Sequence, residues 1–194
     1  MPSNLKNIRL RIEYDGSEFA GWQRQRTRPT IQSTIEAVLS RVHEKPIVIW
    51  GSGRTDSGVH AKAQVATFWS DFDLAPEKWA NVLNYSLPKS IRILESQEAP
   101  ASFNPQKNIL SKVYEYRVLN RMQNSALDLR TYFMPRRVDW NKVREALPYF
   151  EGKKDYKAFQ GAKSTVKTSV RTVHKFELLD EGDGFYRFRV VYFW

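Results

Sequence analysis

Residues 51–61, which read G-S-G-R-T-D-S-G-V-H-A, place one carboxylate, one guanidinium, several hydroxyls and an imidazole among three glycines. Glycines let a backbone turn sharply and approach a ligand closely. Asp56 stands near the middle, with Arg54 two residues before it and a hydroxyl side chain on either side. Apolar runs at 47–50 and 65–69 predict a loop held between rigid elements, a common place for a working side chain.

Several chemistries can be compared for this loop. A phosphate-binding loop is disfavoured, because the Walker spacing is absent and Asp56 would face the phosphate with a negative charge. A Ser-His-Asp triad from Asp56, Ser57 and His60 is disfavoured because residues this close on one loop converge poorly. The three histidines show no metal-ligand spacing. Asp56 is left as a nucleophile or base, or as a turn aspartate that bonds its own backbone, which the loop alone favours.

The composition points to a polyanionic partner. The 194 residues carry a formal net charge of +10, and the excess is concentrated at 152–171 in Lys153, Lys154, Lys157, Lys163, Lys167 and Arg171. Basic side chains near phosphates release condensed counterions, so nucleic acid is favoured over a merely solvated basic face. The chain has no cysteine, secretory signal pattern or membrane-length apolar run. These features predict a cytoplasmic protein that does not enter membranes.

The first half, residues 1–104, predicts the element order β-α-β-β-α-β. Residues 8–14 alternate between apolar and charged side chains, as in a half-buried strand. Residues 31–42 carry an apolar helical face that Thr30 caps. Strands near 47–50 and 63–69, a helix between Pro76 and Pro88, and a strand near 91–98 complete the order. This α+β arrangement is ferredoxin-like, or RRM-like, with an antiparallel sheet and helices on one face.

The second half, residues 105–194, predicts β-α-β-β. A strand covers 113–119, Asp139 caps a helix that ends at Gly152, and residues 169–179 and 185–192 form a hairpin. A second helix and a closing strand would complete another ferredoxin-like half. The sequence therefore predicts two such halves flanking a basic cleft, with the second half incomplete at its C-terminal end.

Longer motifs reveal a family resemblance. They are Y-D-G-S-E-F-A-G-W-Q-R-Q at 14–25, T-I-Q at 30–32, G-R-T-D-S-G-V-H-A at 53–61, Q-V-A at 64–66 and K-V-Y-E-Y-R at 112–117. Together with D-Y-K-A-F at 155–159 and S-V-R-T at 169–172, they resemble, in order, the TruA family of tRNA pseudouridine synthases. The resemblance extends over essentially the whole chain.

The resemblance implies an isomerase that converts uridine to pseudouridine in the anticodon stem-loop of tRNA, at tRNA positions 38, 39 and 40, with Asp56 of G-R-T-D as the nucleophile. The target base would be flipped out of the stacked RNA. Tyr114 would stack on that base, while Tyr116 is expected to be a buried core residue. Arg54 would assist base extrusion and contact phosphate, or else pair with Asp56. No metal or redox cofactor is implied.

The resemblance further implies a homodimer, with tRNA as the partner. Gln23, Arg24 and Arg26 lie in a polar loop where RNA contact and simple solvation are both open, and Lys153 and Lys154 are candidates for RNA contact. Family members continue into a helix bearing F-L-x-x-M-V-R at the point where this chain ends. The alternative expectation is therefore a catalytically impaired, truncated RNA-binding remnant of the same family.

Overall fold

The protein is described by a computed structural model that covers residues 5–161 and 168–193. Its contacts divide the chain into two compact units, Met1–Asn108 and Ile109–Trp194. The fold is α+β, with three α-helices and two sheets among the described residues. None of the helices in this described part is both long and apolar enough to cross a membrane.

The first unit is built in the predicted element order. It contains β1 (Lys6–Tyr14), α1 (Ile31–His43), β2 (Trp50–Gly51), β3 (Ala61–Ser70), α2 (Trp79–Ser86) and β4 (Ile91–Ala99), with a 3-10 turn at Pro76–Lys78 before α2. The sheet order is β2-β3-β1-β4, and every neighbouring pair is antiparallel. The central strands are β1 and β3, and the 51–61 loop joins the edge strand β2 to β3.

Local sequence explains these elements. The apolar side chains of β1 at Ile8, Leu10 and Ile12 are fully buried, as the period-two pattern predicts. Thr30 begins α1 as a capping box: its hydroxyl accepts from the Ser33 backbone N–H, and the Ser33 hydroxyl accepts from the Thr30 N–H. The prediction of the cap is confirmed.

One predicted strand of this unit is wrong in extent. Residues 47–49 lie outside any strand, and only Trp50–Gly51 pair with β3. The Ile49 N–H donates instead to the Glu36 carboxylate on α1 at 3.2 Å. The Ile49 N–H is therefore satisfied by a side chain, whereas in a strand it would donate to the backbone of a neighbouring strand.

The second unit contains β5 (Ser111–Leu119), β6 (Tyr132–Phe133), α3 (Trp140–Ala146), β7 (Gly152–Asp155), β8 (Val170–Gly182) and β9 (Phe185–Phe193). Its sheet order is β6-β5-β9-β8-β7. The β8–β9 hairpin and the Asp139 cap, which accepts from the Asn141 and Lys142 N–H groups, confirm two predictions. The expected all-antiparallel sheet is corrected to a mixed sheet, because β6 pairs with β5 in parallel.

Two further predictions for this unit are wrong. The helix begun by Asp139 becomes a 3-10 turn at Leu147–Phe150 and does not reach Gly152, which starts β7. Tyr116 is 56% exposed and is not a buried core residue. On the outer edge of β5 the described residues provide a partner only for Val118 and Leu119, which pair with β6. From that side Tyr132 of β6 contacts the Tyr116 ring, with centroids 6.1 Å apart, and more than half of Tyr116 stays exposed.

Candidate active site

The 51–61 loop presents Asp56 to solvent on a firmly held backbone. It links β2 to β3, and the side chains of Arg54, Asp56 and Ser57 are exposed. The Asp56 carbonyl accepts from the Val59 N–H at 3.2 Å, which closes a tight turn after the carboxylate. Gly58 within that turn has φ +79°, a left-handed conformation that glycine adopts without steric cost.

Two glycines of the segment between β1 and α1 let it pack directly against the loop. A Cβ on Gly16 would lie 2.0 Å from the Val59 carbonyl oxygen, and a Cβ on Gly21 would lie 2.4 Å from the Thr55 carbonyl oxygen. Both approaches are impossible for any residue with a side chain at these backbone positions. The two glycines of the 14–25 motif are thereby explained as contacts with the loop that carries Asp56.

Hydrogen bonds join the same two segments. The Trp22 N–H donates to the Thr55 carbonyl at 3.0 Å, and the Tyr14 and Thr55 hydroxyls are 2.9 Å apart. Beyond Asp56, the Ser57 hydroxyl and the Gly58 N–H both donate to the Phe19 carbonyl, at 3.2 and 3.3 Å. The backbone is thus held on both sides of the carboxylate.

The beginning of the loop is fixed from β3. Gln64, which is buried, accepts from the Ser52 hydroxyl at 2.7 Å and donates to the Gly53 carbonyl at 2.7 Å. Gln64 belongs to the Q-V-A motif at 64–66, which by itself indicates no role for it. Its burial explains the two bonds, because a buried amide requires hydrogen-bonding partners and the adjacent loop offers polar groups.

The end of the loop meets the segment that follows β1 through His60. Its Nδ1 accepts from the Gly16 N–H at 3.1 Å and lies 3.0 Å from Asp15 Oδ1. Asp15 also accepts from the backbone N–H and the hydroxyl of Ser17. His60 therefore acts as a hydrogen-bonded loop residue.

The Asp56 carboxylate itself is uncommitted. Within residues 5–161 and 168–193 it takes part in no side-chain hydrogen bond or ion pair, and Arg54 likewise makes none. Other aspartates in turns do bond the backbone two residues on, as Asp155 does to Lys157 and Asp180 does to Gly182. Asp56 thus differs from an ordinary turn aspartate, and its exposed oxygens can approach a substrate atom.

The polar loop after β1 divides into held and exposed residues. The Gln32 side-chain oxygen, on α1, accepts from Gln23 Nε2 at 2.9 Å and from the Arg24 N–H at 3.0 Å. Arg24 also pairs with the buried carboxylate of Glu36, its Nη1 lying 3.1 Å from Oε2. Arg26 is exposed. Arg24 is therefore engaged in holding the fold, whereas Arg26 is open to solvent.

The basic segment of the second unit is largely exposed. Lys153 and Lys154 lie in β7, all four residues of which are exposed, and Lys154 donates to the Tyr149 carbonyl. Lys163 and Lys167 lie outside the described residues. The lysines of β7 face solvent along the edge of the sheet.

Tyr114 lies in the middle of β5, opposite Val190 of β9. It is 44% exposed, and its ring stacks on that of Tyr192 with centroids 5.4 Å apart and planes 7° apart. Burial, and then the nearby Tyr114 hydroxyl, raise the pKa of Tyr192. One face of the Tyr114 ring is therefore occupied by a neutral aromatic partner, and part of the ring remains accessible.

Tyr192, the stacking partner of Tyr114, lines an open apolar groove of about 520 Å³ in the second unit. Trp140 closes the neighbouring part of the same sheet face by stacking on Tyr186, with centroids 3.9 Å apart. The groove is lined mainly by aromatic side chains from β8, β9 and the 147–160 region: Phe150, Tyr156, Phe159, Arg171, Val173, Phe176, Val190 and Tyr192.

Comparison with known proteins agrees with the motifs. Residues 11–106, which include the end of β1, all of α1 and the whole 51–61 loop, match the tRNA pseudouridine synthase family. Over 180 residues the chain is 41% identical to tRNA pseudouridine synthase A 2 of Clostridium perfringens, covering 92% of this chain and 74% of that protein.

Two other relatives are similar to the chain over comparable lengths. It is 35% identical over 191 residues to tRNA pseudouridine synthase A of Clostridium acetobutylicum, covering 93% of this chain and 78% of the relative. It is 40% identical over 175 residues to the enzyme of the same name from Thermodesulfovibrio yellowstonii, covering 90% and 68%. The chain therefore belongs to the tRNA pseudouridine synthase A (TruA) family, whose members are isomerases.

Proposed function

We propose that this protein converts uridine to pseudouridine in the anticodon stem-loop of tRNA, at positions 38, 39 and 40, with Asp56 as the nucleophile. The observation that carries the proposal is the Asp56 carboxylate: it is exposed and uncommitted, yet its backbone is held on both sides. A nucleophile is effective when its own position is fixed before the substrate arrives.

The reaction balances without an oxidant or reductant. The bond between N1 and the sugar C1′ breaks, the base turns, and a bond forms between C5 and C1′. The C5 proton is released and N1 gains a proton. The carboxylate forms a transient bond to the substrate and leaves when the new bond closes. Because a stacked helix hides these atoms, the target base has to leave the stack first.

The other site residues take supporting roles in this proposal. Arg54, exposed two residues before the nucleophile, contacts phosphate and helps the base to leave the stack. Tyr114 offers its accessible surface to the extruded base, and its stack with Tyr192 keeps the ring in one orientation. Gln23, Arg24, Arg26, Lys153 and Lys154 contact the tRNA. Arg26 and Lys153 have the stronger support, because Arg24 is already paired with Glu36.

Release of tritium from tRNA labelled at uridine C5 tests the proposal, because attack on the ring and attack on the sugar both release that proton. Wild-type protein is expected to release tritium from the anticodon stem-loop, and Asp56→Asn is expected to show only background. Asp73→Asn is the matched control, since it removes another exposed carboxylate of the same unit outside the loop. Equal release above background by Asp56→Asn and wild type would refute the role of Asp56.

The competing function is RNA binding with impaired catalysis. It predicts tRNA binding whose log–log salt dependence has a slope of several units, together with background tritium release from wild-type protein. Observing both would replace the proposed activity.

The homodimer and the basic cleft between two ferredoxin-like halves, 1–104 and 105–194, remain predictions. The β-α-β-β-α-β order and the sheet order of the first unit support the ferredoxin-like part. Sedimentation equilibrium tests the dimer.

A further inference from the structure

We propose that Tyr14 is a positioning residue for the Asp56 carboxylate and acts through Thr55; this rests on the proposed role of Asp56. Tyr14 is the last residue of β1 and is only 2% exposed. Its hydroxyl lies 2.9 Å from the Thr55 hydroxyl, one residue before the nucleophile. This contact joins the end of β1, a central strand of the four-stranded sheet, to Thr55, the residue immediately before Asp56.

Thr55 is held at a second point that determines the orientation of Asp56. Its carbonyl accepts from the Trp22 N–H at 3.0 Å. That carbonyl belongs to the peptide unit linking Thr55 to Asp56, and a peptide unit is planar. Fixing the carbonyl direction therefore also fixes the Asp56 N–H and Cα. The bond from Val59 N–H to the Asp56 carbonyl holds the following peptide unit in the same way.

Tyr14 and Trp22 form one support. Their ring centroids are 6.1 Å apart, and Trp22 is 2% exposed. The indole packs so closely on Gly51 that a Cβ there would lie 2.5 Å from Cε2. The same aromatic pair thus contacts the first residue of the loop and the residue preceding Asp56. Removing the Tyr14 hydroxyl leaves this packing in place, so its contribution can be measured separately.

The expected effect falls on turnover. Displacing a reacting group by about 1 Å can cost up to about 100-fold in rate. Tyr14→Phe is therefore expected to lower kcat for tritium release by about 10- to 100-fold, with KM for tRNA changed less than about twofold. Thr55→Val is expected to do the same, and the double variant no more than either single one. Thr55→Ser, which keeps the hydroxyl, is expected to retain most of the activity.

Ser96→Ala is the matched control. It removes a buried hydroxyl of the same unit that accepts from the Ala80 N–H and donates to the Glu77 carbonyl, away from the loop. It is expected to lower the unfolding temperature without changing kcat. Hydrogen exchange provides a readout independent of turnover. Amides of residues 53–59 should exchange faster than in wild type in Tyr14→Phe, and at the wild-type rate in Ser96→Ala.

The outcomes separate the two proposals. Wild-type kcat in Tyr14→Phe, with Asp56→Asn inactive, would overturn the positioning role and leave the proposed function intact. Unchanged loop exchange in Tyr14→Phe would also overturn it. Full activity in Asp56→Asn would overturn the proposed function and this inference together.

Discussion

Replacing Gly21 by alanine tests how tightly the 51–61 loop is supported. Two costs add at this position. Its φ of +89° is left-handed, which costs an L-residue about 1–2 kcal/mol. The new Cβ would also lie 2.4 Å from the Thr55 carbonyl oxygen, and overpacking of this kind costs about 1–3 kcal/mol. The expected destabilisation of the first unit is therefore about 2–5 kcal/mol.

Gly58→Ala separates the two costs. Gly58 has a similar φ of +79°, but nothing lies within 4 Å of a Cβ placed there. The free energy of unfolding of Gly58→Ala is expected to fall only by the backbone cost, about 1–2 kcal/mol. The difference between the variants, about 1–3 kcal/mol, measures the contact with Thr55. Gly152→Ala, at φ +89° with open space around the Cβ, measures the same backbone cost in the second unit.

The assay has to report the first unit alone. Urea unfolding followed by pulsed hydrogen exchange and mass spectrometry does so, because peptides from β1 and β3 belong to that unit. Tritium release is measured in parallel, since Gly21→Ala can relieve the overlap by displacing the loop and should then lose activity. If Gly21→Ala is no less stable than Gly58→Ala and as active as wild type, the close approach of Gly21 to Thr55 is refuted.

Two further predictions follow from buried groups. Burial raises the pKa of Tyr192 above its ordinary 10.0, so the unfolded chain ionises first and stability is lost as pH rises above 10. In the whole protein, Tyr192→Phe should therefore lose less stability than wild type at alkaline pH, as followed by circular dichroism. A pH profile identical to that of wild type would contradict this prediction. Glu36→Ala removes the acceptor of the buried Ile49 N–H and of Arg24, and should destabilise the first unit by about 1–3 kcal/mol in urea unfolding. Arg24→Ala should cost less, because Arg24 is mostly exposed; equal losses would contradict this account.

Most of the first unit could be predicted because its signals are local. The alternation at 8–14 and the Thr30 cap depend only on neighbouring residues, and both are confirmed. The run at 47–49 misled because its outcome depends on Glu36, a residue on another element. In the second unit, β6 is two residues long and β7 consists entirely of exposed residues, so neither shows a periodic apolar pattern.

The choice of Asp56 stays a prediction from the sequence, whereas the contacts that hold its loop could not be predicted. Residue types and motifs pointed to Asp56, and the structure adds the absence, within its described residues, of the backbone bond typical of a turn aspartate. The contacts from Tyr14 and Trp22 to Thr55 join residues 41 and 33 positions apart, and no local pattern specifies them. Tyr116 was placed in the core because alternation identifies a face but does not show whether another layer covers it.

The division of buried residues between the units has a consequence for cooperativity. Among the described residues, the buried hydrophobic side chains beyond Asn108 are Val118, Leu119, Leu147 and Val173, whereas the main buried cluster lies wholly within the first unit. Units with so unequal a core open at different free energies. Limited proteolysis should therefore digest the second unit first and leave a resistant fragment ending near residue 108. Thermal melting should show two steps, so that no single melting temperature describes the protein.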